Sequence, residues 1–156
     1  MAWVASSNYL LKFDTTMSQY LKLSVLDLDL DDISRFKIEL SNGISSASLD
    51  FYNYTDLFKD FAKDLILFPQ NIADTIIYEL GENDKKWAYH MFLKVYCFRE
   101  NGHSAIRVEI DNHQHAPNTV KSEFFITTVP ASINKLGQLL TDWNPEIDKE
   151  LIWVAE

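Results

Sequence analysis

"RFKIELSNGISSASLDFYNY", residues 35–54, decides how the chain is read. Phe36, Ile38 and Leu40 alternate with polar residues before Asn42-Gly43, and Ala47, Leu49 and Phe51 resume the alternation after it. A period of two places apolar side chains on one face of an extended strand. Asn-Gly supplies the positive φ angles of a tight hairpin, so the two segments are expected to pair antiparallel.

Upstream, in "YLKLSVLDLDL" (20–30), Leu21, Leu23 and Val25 share one phase and Leu26, Leu28 and Leu30 the other. That slip predicts a β-bulge or a bend between two strand segments. Downstream the period changes. In "YTDLFKDFAKDLILFP" (54–69), Leu57, Phe58, Phe61, Ala62, Leu65 and Phe68 stand three and four apart. A helix is expected there, with Thr55 as N-cap, Asp56 at the positive end of the dipole and Pro69 as its stop. "TIIYEL" (75–80), "KWAYHMFLKVYCF" (86–98), "HSAIRVEIDN" (103–112) and "VKSEFFITTV" (120–129) return to strand patterns. Asn101-Gly102 marks a second hairpin. "PASINKLGQLLTDW" (130–143) is helical through Ile133, Leu136, Leu140 and Trp143, with Pro130 at an acceptable first-turn position, and "ELIWVAE" (150–156) suits a short edge strand.

Strands, helix, strands, helix is not the alternation that builds parallel sheets. The expected architecture is α+β: a single domain over residues 1–156, a mainly antiparallel twisted β-sheet with two helices packed on it. With 156 residues, the chain can withdraw roughly 68–70% of its unfolded surface from water without disulfides or metals. Four Gly and four Pro exclude fibrous and disordered classes.

A net charge of −9 argues against counterion release from nucleic acid and against anionic lipid. The expectation is a protein partner, no nucleic acid and no membrane. No apolar run reaches membrane-spanning length. Cys97 is the single cysteine, and "MAWVASSNYLLKFD" lacks a basic leader and a continuous apolar stretch, so a cytoplasmic location is expected.

Three of the four histidines fall in "RENGHSAIRVEIDNHQHAP" (99–117). His103 shares its alternation phase with Ala105, Arg107, Glu109 and Asp111, opposite the apolar Ile106, Val108 and Ile110. His103, Arg107, Glu109 and Asp111 are therefore the candidate binding residues, on a polar sheet face. Taken alone, His103 is more simply an imidazole hydrogen-bonded near a turn. His113 and His115 are the candidate metal ligands, with His103, Asp111 or Glu123 available as a third. However, "DNHQHAPN" has loop composition, which fixes neither ring orientation nor distance, and no zinc spacing is present. No metal or cofactor is expected.

Asp27, Asp29, Asp31 and Asp32 fail as a calcium loop, since Asp32 falls where glycine is needed and Ile38 where a bidentate carboxylate is needed; a solvated strand face is expected. Cys97 shares its face with Trp87, Tyr89, Met91, Leu93 and Val95, which suits a buried structural thiol. Ala88, His90, Phe92, Lys94, Tyr96 and Phe98 form the other face, so this is expected to be a central strand. No nucleophile elbow, metalloprotease or phosphate-loop motif occurs, which lowers the case for an enzyme.

At "FKDFAKDLILFP", "KWAYHMFLKVYCF", "GHSAIRVEIDN" and "TTVPASINKLGQLL", between about residues 35 and 142, the chain resembles small uncharacterised bacterial proteins. More distantly it resembles immunity proteins of polymorphic-toxin systems, including the WapI-like family. The resemblance implies a non-enzymatic inhibitor whose acidic surface faces a basic toxin domain, and it assigns no site residue. The alternative is a metal- or small-ligand-binding domain, or a hydrolase, with a histidine and carboxylate site around residues 103–115. A third reading is association through an exposed strand or through Trp3, Trp143 and Trp153.

Overall fold

A computed structural model describes residues 18–84 and 86–156. The hairpin at Asn42-Gly43 joins β2 (Ser34–Asn42) to β3 (Ser46–Asn53), antiparallel, with Phe36 opposite Phe51 and Ile38 opposite Leu49. The two-residue loop is Gly43-Ile44, with Gly43 at φ +88°. Asn42 precedes it and closes it, its Oδ1 accepting from the backbone N–H groups of Ile44 (2.9 Å) and Ser45 (2.7 Å). Glycine first in a two-residue loop matches the right-handed twist of the strands it joins.

β1 (Gln19–Asp27) pairs with β2, and the register slips between Val25 and Asp27, where the change of phase predicted a bulge. The second phase does not continue as strand. Asp29 Oδ1 accepts from the Asp31 N–H, and Ser34 Oγ accepts from the Asp29 N–H and donates to the Asp29 carbonyl. The later aspartates thus close a turn instead of lining a strand, because short acidic side chains bond readily to nearby backbone.

α1 (Lys59–Leu67) follows, then β4 (Thr75–Gly81), β5 (His90–Cys97), β6 (Ser104–Asp111), β7 (Lys121–Thr128), α2 (Pro130–Asp142) and β8 (Glu150–Val154). The protein is the expected α+β domain, but its strands divide between two antiparallel four-stranded sheets. The first has the order β3-β2-β1-β8 and the second β4-β5-β6-β7. β5 is an inner strand and β8 an edge strand, as their patterns indicated.

The alternation buries one face of each sheet in a common core. Leu23, Phe36, Ile38 and Leu40 come from the first sheet and Met91, Val95, Val108 and Ile126 from the second, all at 0% exposure. Gln19 ties the sheets at one corner: its Oε1 accepts from the Thr127 N–H (2.9 Å) and its Nε2 donates to the Thr127 carbonyl (3.2 Å). Cys97 is half-buried against the core, less enclosed than its apolar neighbours suggested.

The helices lean on each other. A Cβ on Gly137 would lie 2.8 Å from the Ile66 nitrogen and 2.9 Å from the Ala62 oxygen, so only glycine permits this approach. Asn134 of α2 donates from Nδ2 to the carbonyls of Leu65 (2.9 Å) and Phe68 (2.6 Å), satisfying acceptors that the end of α1 leaves open. Thr55 is not the N-cap. Phe58 holds that position without a side-chain bond, because residues 54–59 form turns (Leu57 N–H to Tyr54 carbonyl, Lys59 N–H to Asp56 carbonyl) that delay the helix. Tyr78 packs its ring on Phe61 and donates its hydroxyl to the Leu57 carbonyl (3.0 Å), and burial pushes its pKa well above the usual tyrosine value. No helix among the described residues is long and apolar enough to cross a membrane.

Candidate functional site

The polar face predicted for β6 is the outer face of the second sheet. Ser104, Ile106, Val108 and Ile110 are buried within, while Arg107, Glu109 and Asp111 lie outside. Cross-strand register sets their neighbours in rows. One row reads Ile77, Lys94, Arg107, Phe125; on one side of it lies Thr75, Tyr96, Ala105, Thr127. On its other side lies Glu79, Phe92, Glu109, Glu123, followed by Gly81, His90, Asp111, Lys121.

These rows divide the face. One half is cationic and aromatic. Lys94 Nζ lies 5.5 Å from the Tyr96 ring centroid, the Arg99 guanidinium 5.3 Å from Phe98, and the Arg107 guanidinium 6.0 Å from Phe92. Phe125 (42% exposed) and Ile77 (59%) stand open beside them, so no helix covers this side. Each cation rests on the negative face of a ring, which holds its stem down.

The other half is acidic. Glu109 and Glu123 are directly opposite, an unfavourable like-charge pair that Arg107 bridges, its Nη2 3.3 Å from Glu109 Oε1 and 3.4 Å from Glu123 Oε2. A cleft of about 370 Å³ opens beyond them, lined by His90, Glu109, Asp111, Lys121 and Glu123 among others. His90 is 8% exposed, and its Nε2 has no hydrogen-bond partner among the described residues; the Glu79 carboxylate is 3.7 Å away.

The predicted residues are therefore brought together only in part. Arg107 and Glu109 touch, and Asp111 joins Glu109 at the cleft. His103 sits beyond the far end of β6, eight residues from Asp111 and so roughly 25 Å off. Its ring is edge-on to Phe98, and its Nδ1 donates to Asn101 Oδ1 (2.8 Å), the bonded imidazole near a turn. His113 takes φ +51°, donates from Nδ1 to the Trp87 carbonyl (2.7 Å) and places Nε2 3.8 Å from Asp111 Oδ2. His113 and His115 both border one hollow, with Asp111, Gln114 and Thr119. Among the described residues, no group of three or more His, Cys, Asp or Glu is placed to hold a metal.

His90 is the site residue that sequence reading missed. Its phase with Phe92, Lys94 and Tyr96 was visible, but nothing local says that Asp111 and Lys121 fall beside it.

No family model matches the chain, and no curated protein matches it. Among solved structures, the chain is similar to the plant transcriptional regulator PBF-2, with a TM-score of 0.43 and 10% identity over 79% of this chain and 75% of that one. It is similar also to WHY3 from Arabidopsis thaliana, with a TM-score of 0.43 and 8% identity over 78% of this chain and 79% of that one. The similarity is to a protein described as a transcriptional regulator and not to an immunity protein. This corrects three expectations: a toxin-neutralising function, a basic toxin domain as partner, and the exclusion of nucleic acid. The last failed for a physical reason as well. Net charge averages over a surface on which Lys94 and Arg107 are cross-strand neighbours on one sheet face, with Arg99 in the turn beyond it.

Proposed function

We propose that the outer face of the second sheet binds single-stranded nucleic acid by stacking bases on its rings. The observation that carries this is the set of cations over aromatic rings, Lys94 and Arg107 on the outer face of the sheet and Arg99 in the turn beyond β5, beside exposed Phe125. Bases stack on aromatic rings and on guanidinium planes in a sequence-tolerant way, and each such stack is worth about 1–3 kcal/mol. The cations between the rings lie where a backbone would run.

The chain's net charge of −9 repels a polyanion at long range, so stacking must dominate and phosphate contacts must be few. With Arg107 already paired to Glu109 and Glu123, Lys94 and Arg99 neutralising two phosphates give a salt slope of about −1.4 in log affinity against log salt. Fluorescence anisotropy of a labelled oligothymidylate across a salt series tests this. Binding at low salt with a shallow slope supports the proposal, and no anisotropy change at low salt sinks it. A cytoplasmic setting belongs to the proposal, since Cys97 has no second cysteine to pair with.

A further inference from the structure

The stacking face ends at the acidic cleft, and a cleft of carboxylates is a strange border for a polyanion. It becomes intelligible when the ligand group there is a base edge and not a phosphate. Resting on the nucleic-acid reading above, we infer that this cleft reads one extruded base and selects guanine.

The donors and acceptors around it argue for that base. Glu109, Asp111 and Glu123 offer only acceptors, and Lys121, exposed on the same row as His90 and Asp111, offers only donors. A guanine edge carries adjacent imino and amino N–H groups that a carboxylate accepts in pairs, and its O6 and N7 accept from a lysine. Thymine presents carbonyl oxygens on either side of its single N–H, so two carboxylate-facing positions would meet acceptors. Arg107 leaves room for this role. It approaches each glutamate through one nitrogen only, at 3.3 and 3.4 Å, so oxygens of both stay open.

His90 supplies a second, independent observation. A nine-tenths-buried ring nitrogen without a hydrogen bond is costly, a state it shares among the described residues with Arg107 Nε on the same face, and it lines this same cleft. A bound base edge offers it a partner. The cleft's volume of about 370 Å³ is in the range of small-ligand sites. The cleft also adjoins Phe92 through the Glu109 row, so a strand stacked on the rings delivers its next base to it.

The experiment compares the full chain's affinity for oligothymidylate with that for the same strand carrying one central guanine. The guanine strand is expected to bind about tenfold more tightly, the value of one well-made bidentate base contact. Glu123→Gln and Lys121→Ala, both at exposed positions, are each expected to reduce that ratio toward one, whatever either does to the affinity for oligothymidylate alone. Equal affinity for the two strands overturns the guanine cleft and leaves the stacking face standing; failure of both strands to bind overturns both. A second readout needs no oligonucleotide. The ring resonances of His90 are expected to move on adding guanosine and to stay put on adding thymidine, and no movement with guanosine overturns the inference.

Discussion

The two sheets share a strand count, a pairing sense and a core, yet their outer faces differ in kind. On the first sheet, charges meet partners: Arg35 bonds Asp50 at 2.7 Å, and Lys22 lies between Glu150 at 3.6 Å and Glu39 at 4.0 Å. Serines fill much of the remainder, at Ser24, Ser46 and Ser48. Such a face is largely solvated, although Tyr52, Ile152 and Val154 are exposed on its strands. On the second sheet the cations sit over rings, two glutamates oppose each other across one arginine, and a buried imidazole nitrogen has no hydrogen bond. Since both faces rest on the same hydrophobic interior, the difference does not serve stability. Groups left short of partners on a rigid scaffold are what a binding surface requires.

The largest effect should fall on binding. Replacing Tyr96 and Phe125 together by alanine removes two stacking surfaces and is expected to weaken oligothymidylate binding by about 3 kcal/mol, roughly a hundredfold. Tyr52→Ala, which removes an exposed ring from the first sheet, should leave the same anisotropy titration unchanged. Equal losses from both sheets would erase the distinction between them.

Next comes a lesion in the shared foundation. Gly137→Ala forces a methyl against the backbone of α1 and is expected to cost about 2 kcal/mol in urea unfolding. Both sheets should melt in one transition, by fluorescence and by amide exchange alike. Separate transitions would mean that the faces belong to independently stable units.

A smaller contrast separates the arginines. Arg107→Met leaves Glu109 and Glu123 opposed without a bridge and should cost about 1 kcal/mol, a loss eased by raised salt. Arg35→Met breaks only an exposed pair and should cost no more than about 0.5 kcal/mol. A reversal of that order in denaturant titrations would show that the bridge over Phe92 contributes less than the surface pair. Smallest of all is an alkaline effect common to both sheets. Burial raises the pKa of Tyr78 above the 10.0 of a free tyrosine, so its neutral form stabilises the fold below that pH, and stability should begin to fall as pH rises past it. Tyr78→Phe should lessen that slope, leaving the part due to Tyr20 and Tyr89, whose pKa values burial also raises.

Alternation was enough to read the strands, because a half-buried strand must repeat every second residue; it put Phe36, Ile38 and Leu40 inside and Arg107, Glu109 and Asp111 outside. It could not assign strands to sheets, because the turn and helix between β3 and β4 look alike whether the chain stays in one sheet or begins another. Part of the candidate site was visible for the same reason. The face of β6 was legible, but its neighbours Phe92, Lys94, His90, Phe125 and Lys121 are set by pairing register, which is a long-range property. Asn134 escaped notice likewise, since its acceptors lie more than sixty residues earlier. Bulk charge misled because it carries no information about where the cations gather.

The pairing of the final strand with the first has a consequence during synthesis. β1 needs β8 alongside it, with Leu23 set against Leu151 and Leu21 against Trp153. On the ribosome, one edge of β1 therefore remains open until β8 has emerged, on the order of ten seconds at ordinary translation rates. An open edge is a template for any other extended chain nearby. Premature termination anywhere before residue 150 would make that exposure permanent, so truncated products should aggregate where the full chain folds.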